Sequence, residues 1–133
     1  MSPVLAAAVL GAGGGLRSFA PPAVLAARGR GLFPGGARFV AFGAAAGELV
    51  ADKQPDMGSR WAPRGLSLRL GFSAMAGHDL AGPAGAAAAA AAALVAARVG
   101  SLLRGRLSGR PAALPAALLE DAVSYGLVVL ATR

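Results

Sequence analysis

The sequence predicts an all-α fold: a small integral membrane helical bundle of four to five segments, forming a single multi-span domain over residues 1–133. Hydrophobic residues make up 56% of the chain and charged residues only 14%, whereas soluble domains carry about 25% charged residues. The mean hydropathy is +0.60. The apolar stretches are long, rich in alanine and leucine, and separated by short segments of glycine, proline and arginine, which is typical of membrane helices.

The first apolar stretch covers residues 4–27, long enough to cross a hydrocarbon core of ~30 Å. It begins without the basic region of a signal peptide, so we expect it to be retained. Glycines at 11 and 13–15 precede Arg17, and Pro21–Pro22 follow. Because glycine weakens a helix and proline removes a backbone donor, the first segment is predicted to be broken at this Gly-rich/Pro-Pro stretch. In the alternative interpretation, the glycines allow close helix packing.

The second helix is predicted over residues 37–52, ending before Pro55. It contains Gly43 and Gly47, a spacing of small residues suited to close packing between helices. Three further helices follow. The third, expected at residues 66–80, is short. The fourth, expected at residues 83–103, begins at Pro83 and contains an alanine run. The fifth, expected at residues 112–131, reaches almost to the end of the chain.

The net charge of +7 does not indicate a nucleic-acid partner. Nucleic-acid-binding modules concentrate basic residues on one face or arm, often with stacking aromatics. Here the arginines flank apolar segments and aromatics are 5%, which favours contacts with lipid headgroups and a multi-pass location in the cell membrane. On a five-span topology, the positive-inside rule places the N-terminus in the cytoplasm and the C-terminus outside.

Carboxylates inside the apolar stretches are the strongest indication of a site. Glu48 and Asp52 are four residues apart, hence on one helix face. Glu120 and Asp121 are adjacent and point about 100° apart, so one of them is expected to face the same point as Glu48. Charged groups are costly in hydrocarbon and usually face a bundle interior. Arg17 therefore needs a carboxylate partner, from the second or the fifth helix.

Three functions fit this pattern. The first is a transporter- or channel-like protein for an ion or small solute, whose candidate binding residues are Arg17, Ser18, Glu48, Asp52, Lys53, Glu120 and Asp121. Such a short chain would need a homodimer to enclose a pathway. The second is an enzyme acting on a lipid-linked phosphate with a divalent cation as cofactor, where Arg60, Arg64 and Lys53 would contact the phosphate at the membrane surface. The third is a structural protein whose charges only stabilise the bundle.

The chemistry leaves these functions open, although an enzyme is the less favoured. No metal site is assigned, because no aspartate-rich cation motif is present. The absence of cysteine excludes thiolate ligands. Membrane lipids are the expected partners in all three cases.

Three motifs together resemble one family. They are Gly15-Leu-Arg-Ser-Phe-Ala-Pro21, Glu48-Leu-Val-Ala-Asp-Lys-Gln-Pro55 and Leu118-Leu-Glu-Asp121. In this order they resemble the bacterial membrane family catalogued as domain of unknown function 4126, over nearly the whole chain, with the second motif the most specific. The resemblance implies a small, multi-span, α-helical integral membrane protein, and it implies no activity.

Overall fold

Helices make up all the regular structure in the described residues of the computed structural model, which confirms the all-α prediction. The structure describes residues 1–29, 35–51, 63–107 and 109–133, with the backbone alone for 49–51 and 63–65. A single 3-10 turn, Gly35–Ala37, precedes the third helix. The helices are α1 (Pro3–Leu16), α2 (Ala20–Ala27), α3 (Arg38–Ala51), α4 (Pro63–Leu107) and α5 (Ala113–Ala131).

Helix α4 is a hairpin that turns at Ala81 and Gly82. Gly82 has φ +62° and ψ −152°, a backbone conformation that is essentially restricted to glycine. Gly77 and Gly85 pack backbone to backbone, so that a Cβ on either would collide with the carbonyl oxygen of the other. In a straight helix these two residues would lie about 12 Å apart. The two separate helices predicted on either side of Pro83 are thereby confirmed.

Helix α1 lies at the centre of the bundle, between the α4 hairpin and α5. A Cβ on Gly11 or Gly15 would collide with the backbone of Ala89 or Ala93 in the second half of α4. A Cβ on Gly13 would lie 2.7 Å from a carbonyl oxygen of α5. The glycines of the first stretch therefore serve close packing, as the alternative interpretation held, while the chain does break after them.

Helix α2 doubles back along α1. Arg17, just after α1, pairs with Asp121, whereas Arg28, just after α2, donates to the carbonyl oxygen of Val129 at 3.4 Å. Asp121 and Val129 lie about 12 Å apart along α5, which is also the length of the eight-residue α2. The two helices therefore form a hairpin, here called the α1–α2 hairpin, with its tip at residues 17–19. The predicted break in the first segment is confirmed, and it reverses the chain direction because the extended Arg17 redirects the backbone.

This hairpin also corrects the predicted topology. Residues 6–10 of α1 pack beside the C-terminal end of α5, where Leu10 shares a core cluster with Val128 and Ala131 and Ala6 packs against that cluster. Both chain ends therefore lie at one end of the bundle, and not at opposite ends. The second half of α4 runs antiparallel to its first half and ends in Arg104 and Arg106 at the other end.

Helix α3 packs mainly on α2, through the buried Ala41 and Ala45. Gly43 and Gly47 lie on its exposed side, and no atom of the described residues lies within 4 Å of a Cβ built on either. Within the described part of the chain, these two glycines therefore do not pack against another helix. The buried small residues of α3 are alanines on the opposite face.

The bundle buries small side chains and exposes large apolar ones. Alanine dominates its core, while leucine, valine, phenylalanine and methionine side chains cover the outside of every helix except α2. Two helical stretches of the described chain, Leu66–Leu107 and Ala113–Ala131, are long and apolar enough to cross a membrane. Only 22% and 11% of their most apolar windows are buried. Small residues at helix interfaces with large apolar residues outside are typical of helices surrounded by lipid.

Candidate functional site

The tip of the α1–α2 hairpin is a break in the helical hydrogen bonding at the level of the middle of α5. Arg17 is extended, with φ −141° and ψ 114°. Two prolines stand in the first turn of α2, where they are tolerated because the N–H groups there lack helical partners. The amides of Ser18 and Phe19 precede this turn and need acceptors from elsewhere.

Glu48 supplies those acceptors from α3. Its Oε2 accepts from the Ser18 amide at 3.1 Å, and its Oε1 accepts from the Phe19 amide at 3.5 Å. Helix α2 has no side-chain cap of its own. A carboxylate at the first amides of a helix also interacts favourably with the helix dipole. Glu48 therefore caps α2 from a separate helix.

Arg17 is the largest fully buried side chain among the described residues. Its Nη2 pairs with Oδ1 of Asp121, and its Nη1 lies 3.8 Å from Oε1 of Glu120. Nη1 also donates to the carbonyl oxygen of Leu16 at 3.1 Å. Because a buried charge is stable only when paired, these contacts explain how an arginine occupies the interior of an apolar bundle.

Glu120 joins this pair to α4. Its Oε2 accepts from Nε of Arg104 at 3.0 Å, so one carboxylate bridges two arginines. Both Glu120 and Asp121 therefore reach Arg17, so the carboxylate partners of this arginine lie on the fifth helix. The wide guanidinium lies between two carboxylates that diverge from adjacent helical positions.

Arg69, which lies inside the predicted third helix, also belongs to the site. Its side chain is buried, and its Nη1 donates to the carbonyl oxygen of Gly15 at 3.1 Å. It thereby satisfies a carbonyl of the last turn of α1. The sequence feature that indicates burial of Arg69 is its position inside a predicted apolar helix, where an arginine usually faces the bundle interior.

Two buried serines lie against α1, the first helix of the same hairpin. The Ser124 hydroxyl donates to the carbonyl oxygen of Gly13 at 2.8 Å. Ser73 is fully buried beside Gly14 and Pro21, and its hydroxyl has no hydrogen-bond partner among the described residues. Helices α4 and α5 thus each place one buried hydroxyl group against α1.

Five predicted site residues meet at the tip: Arg17, Ser18, Glu48, Glu120 and Asp121. Asp52, Lys53 and Arg60 lie outside the described residues, and Arg64 is described for its backbone alone. The predicted shared face of Glu48 and Asp52, and the predicted phosphate contacts at the membrane surface, therefore stay predictions.

The described part of the site contains both signs of charge in equal number. Its cations are three arginines and its anions three carboxylates: Arg17, Arg69, Arg104, Glu48, Glu120 and Asp121. No group of three or more His, Asp or Glu residues in the described ranges is arranged to hold a metal ion. These residues offer paired charges beside the two amides that Glu48 accepts from at the helix break.

Comparisons with known protein families, with curated proteins and with solved structures found no match. The resemblance to the bacterial membrane family stays a prediction.

Proposed function

We propose that this protein is a multi-pass protein of the cell membrane with a transporter-like function, and that it moves a small anionic solute past the tip of the α1–α2 hairpin. The observation that carries the proposal is the complete burial of Arg17 at a helix break, paired with the central residues of the apolar helix α5. Ionisable groups at membrane depth mark ion and substrate pathways. Transporters place substrate sites where discontinuous helices end near the bilayer midplane.

The apolar exterior supports the membrane part of the proposal. Large apolar side chains such as Val95, Leu119 and Val40 are each more than 60% exposed. In water such a surface would favour association, whereas in a bilayer it is the required exterior. The three amides at residues 17–19 are satisfied within the protein, as membrane depth demands.

The donors at the tip favour an anion over a cation. The amides of Ser18 and Phe19 point at a carboxylate, and two buried arginines, Arg17 and Arg69, flank the break. Glu48 occupies the position that a small carboxylate or halide would take at these amides. In the proposed cycle, Glu48 leaves the amides when the solute arrives and returns when it departs.

A second copy would complete the pathway. Helix α3, which carries Glu48, packs mainly on α2 and exposes its opposite side. We therefore propose a homodimer, as the length of the chain also favours.

Flux through proteoliposomes tests this function. We expect vesicles containing the protein to release chloride or formate, and to release sodium and potassium no faster than empty vesicles. Glu48→Gln keeps one acceptor oxygen and loses the charge, so we expect at least a tenfold change in anion flux with the fold retained. Arg38→Gln is the matched control, because Arg38 is exposed on the same helix and stacks on Phe39.

Two results would contradict the proposal. Release of cations without release of anions would overturn the anion assignment. Flux that falls only in proportion to the folded fraction, measured by thermal unfolding in detergent, would leave a structural role for the charges.

A specific observation favours that structural role as the second candidate. The charges at the tip bind helices to one another: Glu48 connects α3 to α2, Arg69 connects α4 to α1, and Glu120 connects α5 to both α1 and α4. Such a network alone would fix the arrangement of a bundle whose packing surfaces are mostly alanine and glycine.

A further inference from the structure

A wholly apolar groove of about 430 Å³ opens on the side of the bundle. Helix α1 forms its floor and helices α4 and α5 form its walls; the lining residues are Ala12, Leu16, Ala92, Val95, Ala96, Val99 and Leu127. The groove exists because α1 lies between α4 and α5 and holds them apart, so that the two touch each other little. Side chains at its rim, such as Val95 and Val99, are exposed.

One end of the groove is charged. On the floor, Leu16 is followed directly by Arg17, and at this level the ion pair between Arg104 and Glu120 connects the two walls. Arg104 keeps 30% of its side chain exposed. Arg106, seven residues after Val99, lies on the same face of α4 as the groove, and it is exposed, as is Arg110 in the following turn.

The groove therefore has the polarity of a phospholipid: apolar along its length and positive at one end. Of the described acidic side chains, Glu120 and Asp121 reach this end, and both are already paired with arginine. Arg106 and Arg110 add two further positive charges there. A neutral lipid would leave these charges unmatched, whereas an anionic headgroup would pair with them.

We propose that this groove binds one acyl chain of an anionic phospholipid, whose phosphate contacts Arg106 and Arg110. The groove opens onto the apolar exterior beside the exposed Val95 and Val99. A lipid therefore reaches it by lateral movement in the bilayer. The site depends on the membrane location proposed above and is independent of transport.

Native mass spectrometry of the purified protein tests the site. The protein would be equilibrated with phosphatidylglycerol or with phosphatidylcholine of identical acyl chains. We expect one phosphatidylglycerol to remain bound under conditions that remove phosphatidylcholine. Each of Arg106→Gln and Arg110→Gln should lower the retention of phosphatidylglycerol roughly fivefold, since an arginine near an anionic surface contributes about a factor of that size.

Groove-filling substitutions separate the chain contact from the headgroup contact. Ala96→Phe would fill the groove, and we expect it to lower the retention of phosphatidylglycerol at least tenfold. Ala122→Phe is the matched control, because Ala122 is exposed on α5 outside the groove and its substitution should leave retention unchanged.

Equal retention of the two lipids, or unchanged retention in Ala96→Phe, would overturn the proposal. Loss of a dimer in Ala96→Phe at unchanged lipid retention, seen by sedimentation, would also overturn it, because a second copy would then occupy the groove. None of these readouts depends on flux, so failure of the lipid site and failure of transport are distinguishable.

Discussion

The guanidinium of Arg17 and the carboxylate of Asp121 form an ion pair between residues near opposite ends of the chain. Arg17 is fully buried and Asp121 is 15% exposed. The pair fixes the tip of the α1–α2 hairpin to the middle of α5. Substitutions of either residue should therefore change the stability of the bundle.

Removal of one partner of this pair should be strongly destabilising. We expect Arg17→Gln to lower the free energy of unfolding by about 3–5 kcal/mol, because it removes the buried counter-charge of Asp121 and leaves Glu120 with Arg104. Arg104→Gln should cost at most about 1 kcal/mol, since Arg104 is partly exposed and its ion pair is screened by solvent. Unfolding by denaturant in detergent micelles measures both; equal effects of the two substitutions would contradict the assignment of Arg17 as the buried centre.

Loss of the Glu48 carboxylate should loosen the hairpin tip. Glu48→Ala leaves the amides of Ser18 and Phe19 without their acceptor, at a cost of about 1–3 kcal/mol. We expect these two amides to exchange hydrogen faster in Glu48→Ala than in the native protein, while those of α5 keep their protection. Glu48→Gln retains an acceptor oxygen, so its exchange rates at these two amides should lie between those of the native protein and those of Glu48→Ala. Unchanged exchange at both amides would show that Glu48 does not cap α2.

Close backbone packing of α1 on α4 predicts a sharp difference between glycines. Gly15→Ala would force a methyl group against the backbone of Ala93, so we expect a loss of about 1–3 kcal/mol. Gly43→Ala on α3 meets no atom of the described residues within 4 Å, and should be neutral or stabilise the helix by up to about 1 kcal/mol. Thermal unfolding of the two variants compares them, and similar melting temperatures would argue against the central position of α1.

The turn within α4 requires glycine at one position. Gly82→Ala should cost about 1–3 kcal/mol, because φ is +62° in a region that residues with a side chain rarely occupy. Gly71→Ala is the control, as Gly71 lies inside the first half of α4 and a Cβ there meets no atom of the described part of the chain within 4 Å. A Gly82→Ala protein as stable as the Gly71→Ala protein would indicate that α4 is not a hairpin.

The corrected topology predicts that both chain ends lie on the same side of the membrane. The sequence contains no cysteine, so single-cysteine variants can be labelled without background. We expect Ser2→Cys and Arg133→Cys to react with an impermeant thiol reagent from one side of sealed vesicles, and Arg110→Cys from the other. Labelling of the two chain ends from opposite sides would restore the five-span topology.

The sequence by itself determined the class of the fold and most of its helices. The alanine run, Pro83 and the turn before α5 define helices through local propensity and local backbone chemistry, and these predictions are confirmed by the structure. The apolar surroundings of Arg17, Glu48 and Glu120 were also sufficient to bring these residues to attention, because a charge among apolar residues needs a partner wherever the chain folds.

Only the tertiary structure decided how these residues pair and which way the first segment runs. A break at Arg17 is compatible with a bent span or with a hairpin, and the choice depends on long-range contacts such as that of Arg28 with Val129. The same applies to Arg69, whose partner is a carbonyl of α1, and to Glu48, which accepts from the amides of the hairpin tip. Local propensity sets where helices begin and end, whereas partners are set by the packing of distant surfaces, which a pattern along the chain does not contain.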